Sequence, residues 1–104
     1  MKLDINKKYY LSGKIGNAGD KQSNIDKFII TALHLRNEGY TIISPIELCD
    51  DQDSKTWEDY MKRDIQEMLN CDGIILMQNW TSSPGARLEL YIAATLGLDV
   101  VTIT

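Results

Sequence analysis

Short β-branched or apolar runs alternate with longer stretches of helical periodicity, and nothing between them resembles a hairpin turn. That alternation restricts the fold more than any other feature. Tyr9-Tyr10-Leu11-Ser12-Gly13, Tyr40 to Ser44, Gly73-Ile74-Ile75-Leu76-Met77 and Val100 to Ile103 read as strands. The third is apolar throughout, as a strand covered on both faces must be. Between them the spacing predicts a helix capped by Asn24 and running to about Glu38. Its apolar positions are Ile25, Phe28, Ile29, Ala32, Leu33 and Leu35. A second helix runs from Trp57 to about Asn70, capped by Thr56 or Ser54, and a third from about Ala86 to Leu96. Gly39 and Gly97 end the first and third helices, and Pro45 stops the second strand. The order β-α-β-α-β-α-β predicts an α/β fold with a parallel sheet, right-handed crossovers and helices on both faces. Residues 1–104 are expected to form one domain. Ligands in such sheets bind outside the strands' carboxyl ends, so a site is expected at the loops leaving Ser12, Pro45 and Gln78.

Charge and rare residues remove several function classes. Eleven Lys and Arg against fifteen Asp and Glu give a net charge of −4, unsuited to a duplex nucleic-acid partner, whose phosphates call for a basic face. No apolar stretch approaches the ~18 residues of a membrane helix, and residues 1–8 lack a signal-peptide core, so a cytoplasmic protein is expected. The two cysteines, Cys49 and Cys71, match no zinc spacing. The one histidine, His34, lies within a predicted helix and reads as a surface or core-edge residue. Neither a metal nor an organic cofactor is expected. The acidic connection from Cys49 to Lys55 reads as a solvated loop.

Two acids fall where the helical period favours apolar residues. Asp64 shares a row with Tyr60 and Met68 and is flanked by Met61, Ile65 and Leu69. Glu89 precedes Ile92 and Ala93 and falls in the first turn of the third predicted helix. An inward-facing carboxylate costs ~2–5 kcal/mol unless it is paired or hydrogen-bonded. Either acid could be satisfied structurally, by Arg63 or Arg87, or by Glu89 acting as a capping acid near Ser83. Asp72 reads as a turn or helix-end residue. Two further features face the same rim. Tyr10-Leu11-Ser12-Gly13 places a phenol at a strand end, with a glycine that permits close approach of a ligand. Ser82-Ser83-Pro84-Gly85-Ala86 leads hydroxyls into a helix N-terminus, which suits either an ordinary cap or an anion.

Tyr10-Leu11-Ser12-Gly13, Ile43-Ser44-Pro45, Trp57 with Tyr60 through Ile65, Cys71-Asp72-Gly73 and Gly85-Ala86-Arg87-Leu88-Glu89 form an ordered set. The set resembles the nucleoside 2-deoxyribosyltransferase-like superfamily, in particular its DUF4406 branch, over residues 9–104. The resemblance implies a three-layer flavodoxin-like (Rossmann-like) fold with a small parallel sheet of four to five strands. It also implies chemistry at the N-glycosidic bond of nucleosides or nucleotides. It makes Glu89 the nucleophile, Asp64 the acid of the preceding helix, Tyr10 the strand-end phenol and Ser83 a holder of the 5′-phosphate. Transferases of free nucleosides carry an Asp near the position of Ser83, and its absence here favours a phosphorylated ligand. Lys14 with Gly16 stands where the hydrolases often have an Arg.

The expected activity is hydrolysis of a nucleotide N-glycosidic bond, or related deoxyribosyl transfer. Glu89, Asp64 and Tyr10 are the expected catalytic residues. Ser12, Gly13, Lys14, Trp80, Ser83, Gly85 and Ala86 are expected around the ligand, with Trp80 either stacking on the base or filling the loop. A nucleotide-binding sensor or signal-sequestering module without turnover is the alternative, and a purely structural or partner-binding domain is a third reading. A small-molecule nucleotide or nucleoside is the expected partner, in a homodimer or larger homo-oligomer.

Overall fold

The computed structural model describes residues 3–16, 19–48 and 56–103. The acidic connection, with Cys49 and the alternative cap Ser54, lies outside the described residues. Four strands, β1 (Lys8–Ser12), β2 (Thr41–Ile43), β3 (Gly73–Leu76) and β4 (Asp99–Thr102), form one parallel sheet in the order β2-β1-β3-β4. The helices are α1 (Lys21–Asn37), α2 (Trp57–Leu69) and α3 (Pro84–Thr95), with short 3₁₀ turns at Pro45–Leu48 and Trp80–Ser82. This is an α/β, flavodoxin-like arrangement.

Period-two alternation divides the core between the two faces. Tyr9 and Leu11 of β1 join Ile42, Ile75 and Met77 against Phe28, Ala32 and Leu35 of α1. Tyr10, Ile74 and Leu76 pack on the other face, against Met68 of α2 and Ala93 of α3. All of β3 is buried, as its unbroken apolar run requires. The register sets Tyr10 beside both Ile43 and Ile74, and Ser12 beside Leu76. The chain leaves β1 toward β2 on one side and returns to β3 on the other. The strand order therefore reverses at β1, and the crevice of such folds opens at the carboxyl ends of β1 and β3.

Local chemistry accounts for the helix ends. Thr56 caps α2 through a reciprocal box: its Oγ1 accepts from the Asp59 N–H at 3.2 Å, and Asp59 Oδ2 accepts from the Thr56 N–H at 3.1 Å. Ser83 caps α3, accepting from the Ala86 N–H at 3.1 Å, with Pro84 in the first turn. Gly39, at φ +97°, closes α1 in the left-handed region.

Three sequence expectations are corrected. Asn24 does not cap α1: Asp20 holds that position, and Asn24 lies inside the helix on the buried row with Phe28, Ala32 and Leu35. Ile29 and Leu33 lie on the solvent side of α1, because a helix packed flat on a sheet buries only one narrow stripe. Helix α3 starts at Pro84, so Glu89 is in its second turn and is not a capping acid. His34 is on the surface, paired with Glu38 at 2.9 Å. Asp72 is structural, its carboxylate accepting from the Lys8 N–H at 2.8 Å where β1 begins. No helix is long and apolar enough to cross a membrane among the described residues.

Candidate active site

Each of two helices interrupts an apolar stripe with one acid, at identical spacing. In α2 the buried positions are Met61, Asp64 and Met68; in α3 they are Ala86, Glu89 and Ala93. The alanines keep α3 close to the sheet, and Gly85 keeps it close to α2, since a Cβ there would lie 3.1 Å from Met61 Sδ. Tyr10 and Ser12 are two residues apart on β1 and so share the sheet face that α2 and α3 cover. The long phenol from one rung back and the short hydroxyl at the last rung converge on one carboxyl. Tyr10 Oη donates to Glu89 Oε2 at 2.8 Å, and Ser12 Oγ donates to Glu89 Oε1 at 2.6 Å. Both oxygens of Glu89 are thereby held, in a residue only 5% exposed.

Burial governs the electrostatics. It pushes the Glu89 carboxyl up to about 7, against the two hydroxyl donors, and the charge of Asp64 adds to the rise. Burial, then the charges of Glu89 and Asp64, hold the Tyr10 phenol well above its ordinary range, so it stays a donor. Asp64 is also raised by burial, but Arg63 opposes that rise. Arg63 donates to Asp64 Oδ1 through Nε at 3.1 Å and Nη2 at 2.8 Å. The guanidinium also donates to the carbonyl oxygens of Leu48 at 2.9 Å and Pro45 at 3.4 Å.

The structure brings Tyr10, Ser12 and Glu89 into contact, with Asp64 within electrostatic reach of Glu89, and gives the other expected residues partners of their own. Gly13 is a close-approach glycine: a Cβ there would lie 3.0 Å from both Asn79 Oδ1 and Met77 Cβ. Lys14 donates its N–H to Asn79 Oδ1 at 3.0 Å, while its ammonium pairs with Asp20 at 3.1 Å. Trp80 packs on the α2/α3 side of the core and borders an open groove with Arg87, Leu90, Tyr91, Ala94 and Thr95. Ser83 and Ala86 are joined by the helix cap, which engages the Ala86 N–H. A second groove, lined by Lys27, Thr31, Met77, Gln78, Asn79 and Ile103, includes none of the expected site residues. Among the described residues no cluster could hold a metal ion.

Several participants were not anticipated from the sequence. Asn24 Nδ2 donates to the Ile15 carbonyl at 3.1 Å, and Asn24 Oδ1 accepts from Asn79 Nδ2 at 3.2 Å. This amide pair ties the loop after β1 to the loop after β3. The position of Asn24, four residues before Phe28, was the available signal. Ser44, at the carboxyl end of β2, is buried, and its hydroxyl has no partner among the described residues. The sequence marks it only as the end of a strand run and as part of Ile43-Ser44-Pro45, neither of which assigns its hydroxyl a use.

The profile "Domain of unknown function (DUF4406)" matches residues 7–102. No curated protein matches the chain. Among solved structures, a 2-deoxyribosyltransferase from Bacillus psychrosaccharolyticus superposes with a TM-score of 0.69 at 23% identity, over 91% of this chain and 70% of that one. A conserved protein from Enterococcus faecalis V583 superposes with a TM-score of 0.67 at 18% identity, over 91% of this chain and 61% of that one. At these identities the likeness is one of fold, and the fold is nucleoside 2-deoxyribosyltransferase-like. With the profile spanning nearly the whole sheet and its helices, the chain belongs to the DUF4406 family.

Proposed function

We propose that the protein cleaves the N-glycosidic bond of a nucleoside 5′-monophosphate, releasing the base and a sugar phosphate, or transfers the deoxyribosyl group by the same chemistry. The observation that carries this reading is the Glu89 carboxyl, buried at the β1 end with one hydroxyl donor on each oxygen and a second acid within electrostatic reach. In its ionised form Glu89 attacks C1′ as the bond from C1′ to the base nitrogen breaks, and a proton from Asp64 goes to the departing base. Water then attacks C1′ of the glycosyl ester, giving one proton to the Asp64 carboxylate; the bond from C1′ to Glu89 breaks, releasing the sugar and restoring the Glu89 carboxylate and the Asp64 acid. Tyr10, which keeps its proton, aims Glu89 throughout. Ser83 and the N–H group at Gly85 receive the 5′-phosphate, with Ala86 lining the site through the N–H that holds Ser83 in place. Ser83 spends its lone pair on Ala86 and so offers the phosphate its hydroxyl proton. Lys14 reaches the phosphate by leaving Asp20, and Trp80 stacks on the base. Ser12 and Gly13 form the floor under the sugar. The reading carries with it a homodimer or larger homo-oligomer, and no duplex nucleic acid as partner.

The test is incubation with a panel of 5′-mononucleotides and 2′-deoxynucleosides, with released base measured by chromatography. Release is expected from the wild type, with a loss of at least ~10³-fold in Glu89→Gln, as when a group acting in the transition state is removed. Full turnover in Glu89→Gln would remove the mechanism. One observation favours the alternative, a nucleotide-binding module without turnover: burial pushes the Glu89 carboxyl up to about 7, and a neutral carboxyl suits ribose hydroxyls better than attack on C1′. Under that alternative, nucleotides raise the melting temperature and no base appears.

A further inference from the structure

We propose that Arg63 is a positioning residue: it holds Asp64 in its ionised form and so leaves the one proton shared by the two acids on Glu89 in the ligand-free protein. This deepens the reading above and rests on it only for the consequence for turnover.

The argument starts from an asymmetry of donors. Arg63 places two N–H groups on a single oxygen of Asp64, at 3.1 and 2.8 Å. The guanidinium cannot swing away freely. It is also bonded to the carbonyls of Leu48 and Pro45, and it lies 5.2 Å from the Tyr60 ring centroid. The pair is shielded, with the Asp64 side chain 8% exposed and that of Arg63 20%. Charge-assisted bonds of this kind stabilise the carboxylate over the acid.

Glu89 has no such help. The groups that face it are the Tyr10 phenol and the Ser12 hydroxyl from β1, both neutral, and the carboxylate of Asp64 from α2. Among the described residues no cation is among the groups acting on it. Two buried carboxylates within electrostatic reach of each other resist being ionised together, and the proton settles where no cation opposes it. Burial raises both acids, but only at Asp64 does Arg63 oppose the rise, while Glu89 goes to about 7. Both hydroxyls can accept as well as donate, so a protonated Glu89 keeps a partner on each oxygen.

Turnover by the mechanism above then starts from the minor arrangement of that proton. Before attack the Glu89 O–H bond breaks and an O–H bond forms on Asp64, with the net charge of the two acids unchanged at one negative. A bound ligand favours this exchange by drawing the carboxylate of Glu89 toward C1′ and accepting a hydrogen bond from Asp64.

The test reads the proton directly in ligand-free protein, from the infrared carbonyl band of protonated carboxyl groups followed against pH. At pH 6 a buried band is expected that vanishes in Glu89→Gln and persists in Asp64→Asn, with its midpoint lowered in the latter. Arg63→Gln is expected to move Asp64 titration upward by about 1–3 pH units, adding a second band that the further change Asp64→Asn removes. Arg63→Lys keeps the cation and should retain the single band. A band that survives Glu89→Gln and disappears in Asp64→Asn would overturn the assignment. So would an Asp64 midpoint left unmoved by Arg63→Gln. Should Arg63→Gln not fold, the Glu89→Gln and Asp64→Asn pair still decides where the proton lies. None of these readings needs turnover, so absence of base release would count against the proposed enzyme and leave the proton assignment standing.

Discussion

Glu89 links the chemistry of the site to the stability of the fold through one proton. Burial favours its neutral form, so the folded protein holds that proton up to about pH 7, whereas the unfolded chain releases it near 4.5. Between those values the folded state binds more protons than the unfolded one, and stability falls as pH rises through the window, by at most about 3 kcal/mol from this residue. Glu89→Gln has no such proton to lose. Denaturant melts at pH 4.5 and pH 8 should therefore show the wild type weakening more than the variant, and parallel losses would contradict the assignment. Ser44 makes a second residue-scale case. Its buried hydroxyl lacks a partner among the described residues, and an unsatisfied buried group costs ~1–3 kcal/mol. Ser44→Ala is expected to raise stability by about 1 kcal/mol in urea unfolding, and a loss of that size would show that the hydroxyl is satisfied. Asp64 and Glu89 were legible as out-of-place acids because a period of 3.6 residues exposes them. Two of their partners were legible as candidates, Arg63 from its place beside Asp64 and Tyr10 from the family resemblance. Ser12 as a donor to Glu89 was not, because the two meet only through the sheet, 77 residues apart in the chain.

At the scale of elements, the site depends on two loops held at the carboxyl ends of β1 and β3. Gly13 lets them meet, and the Asn24–Asn79 amide pair fixes them. A methyl group at Gly13 would press on Met77 Cβ, close to the backbone, and on an Asn79 oxygen already bonded to Lys14. At Gly85 the same methyl group presses closely only on the sulfur of Met61, a side chain that can turn aside, and meets Met61 Cε and Ser83 Oγ at ordinary contact distances. Gly13→Ala should therefore cost more than Gly85→Ala, by about 1–2 kcal/mol in thermal or urea unfolding; equal costs would contradict the close approach. Helix limits were mostly readable, since Thr56, Gly39 and Gly97 act through local backbone chemistry. The start of α3 was misplaced by two residues because Pro84 looks like a breaker when it is in fact a first-turn residue. Asn24 was misread for a related reason: an Asn near a helix start suits a cap, and only the loop packed above it gives it a different use.

For the molecule as a whole, the apolar surface left outside is where the proposed self-association is testable. Ile29, Ile30 and Leu33 on α1, and Tyr91 and Leu96 at α3, are each more than half exposed. Sedimentation should find a species larger than a monomer, and Ile30→Glu with Leu33→Glu, or Tyr91→Glu with Leu96→Glu, should dissociate it. A wild type that sediments as a monomer at all concentrations would remove the proposal. The strand and helix sequence, the parallel sheet and the place of the site at its carboxyl edge follow from the chain alone. They depend on side-chain periodicity and on turn chemistry, which act between residues close in sequence. Which oxygen each hydroxyl holds, which acid receives the cation and which amides clasp the loops were settled by tertiary structure. Tyr10 and Glu89 are 79 residues apart in the chain. A hydrogen bond between them exists only once the sheet has brought β1 beneath α3 and water has been driven from the space between.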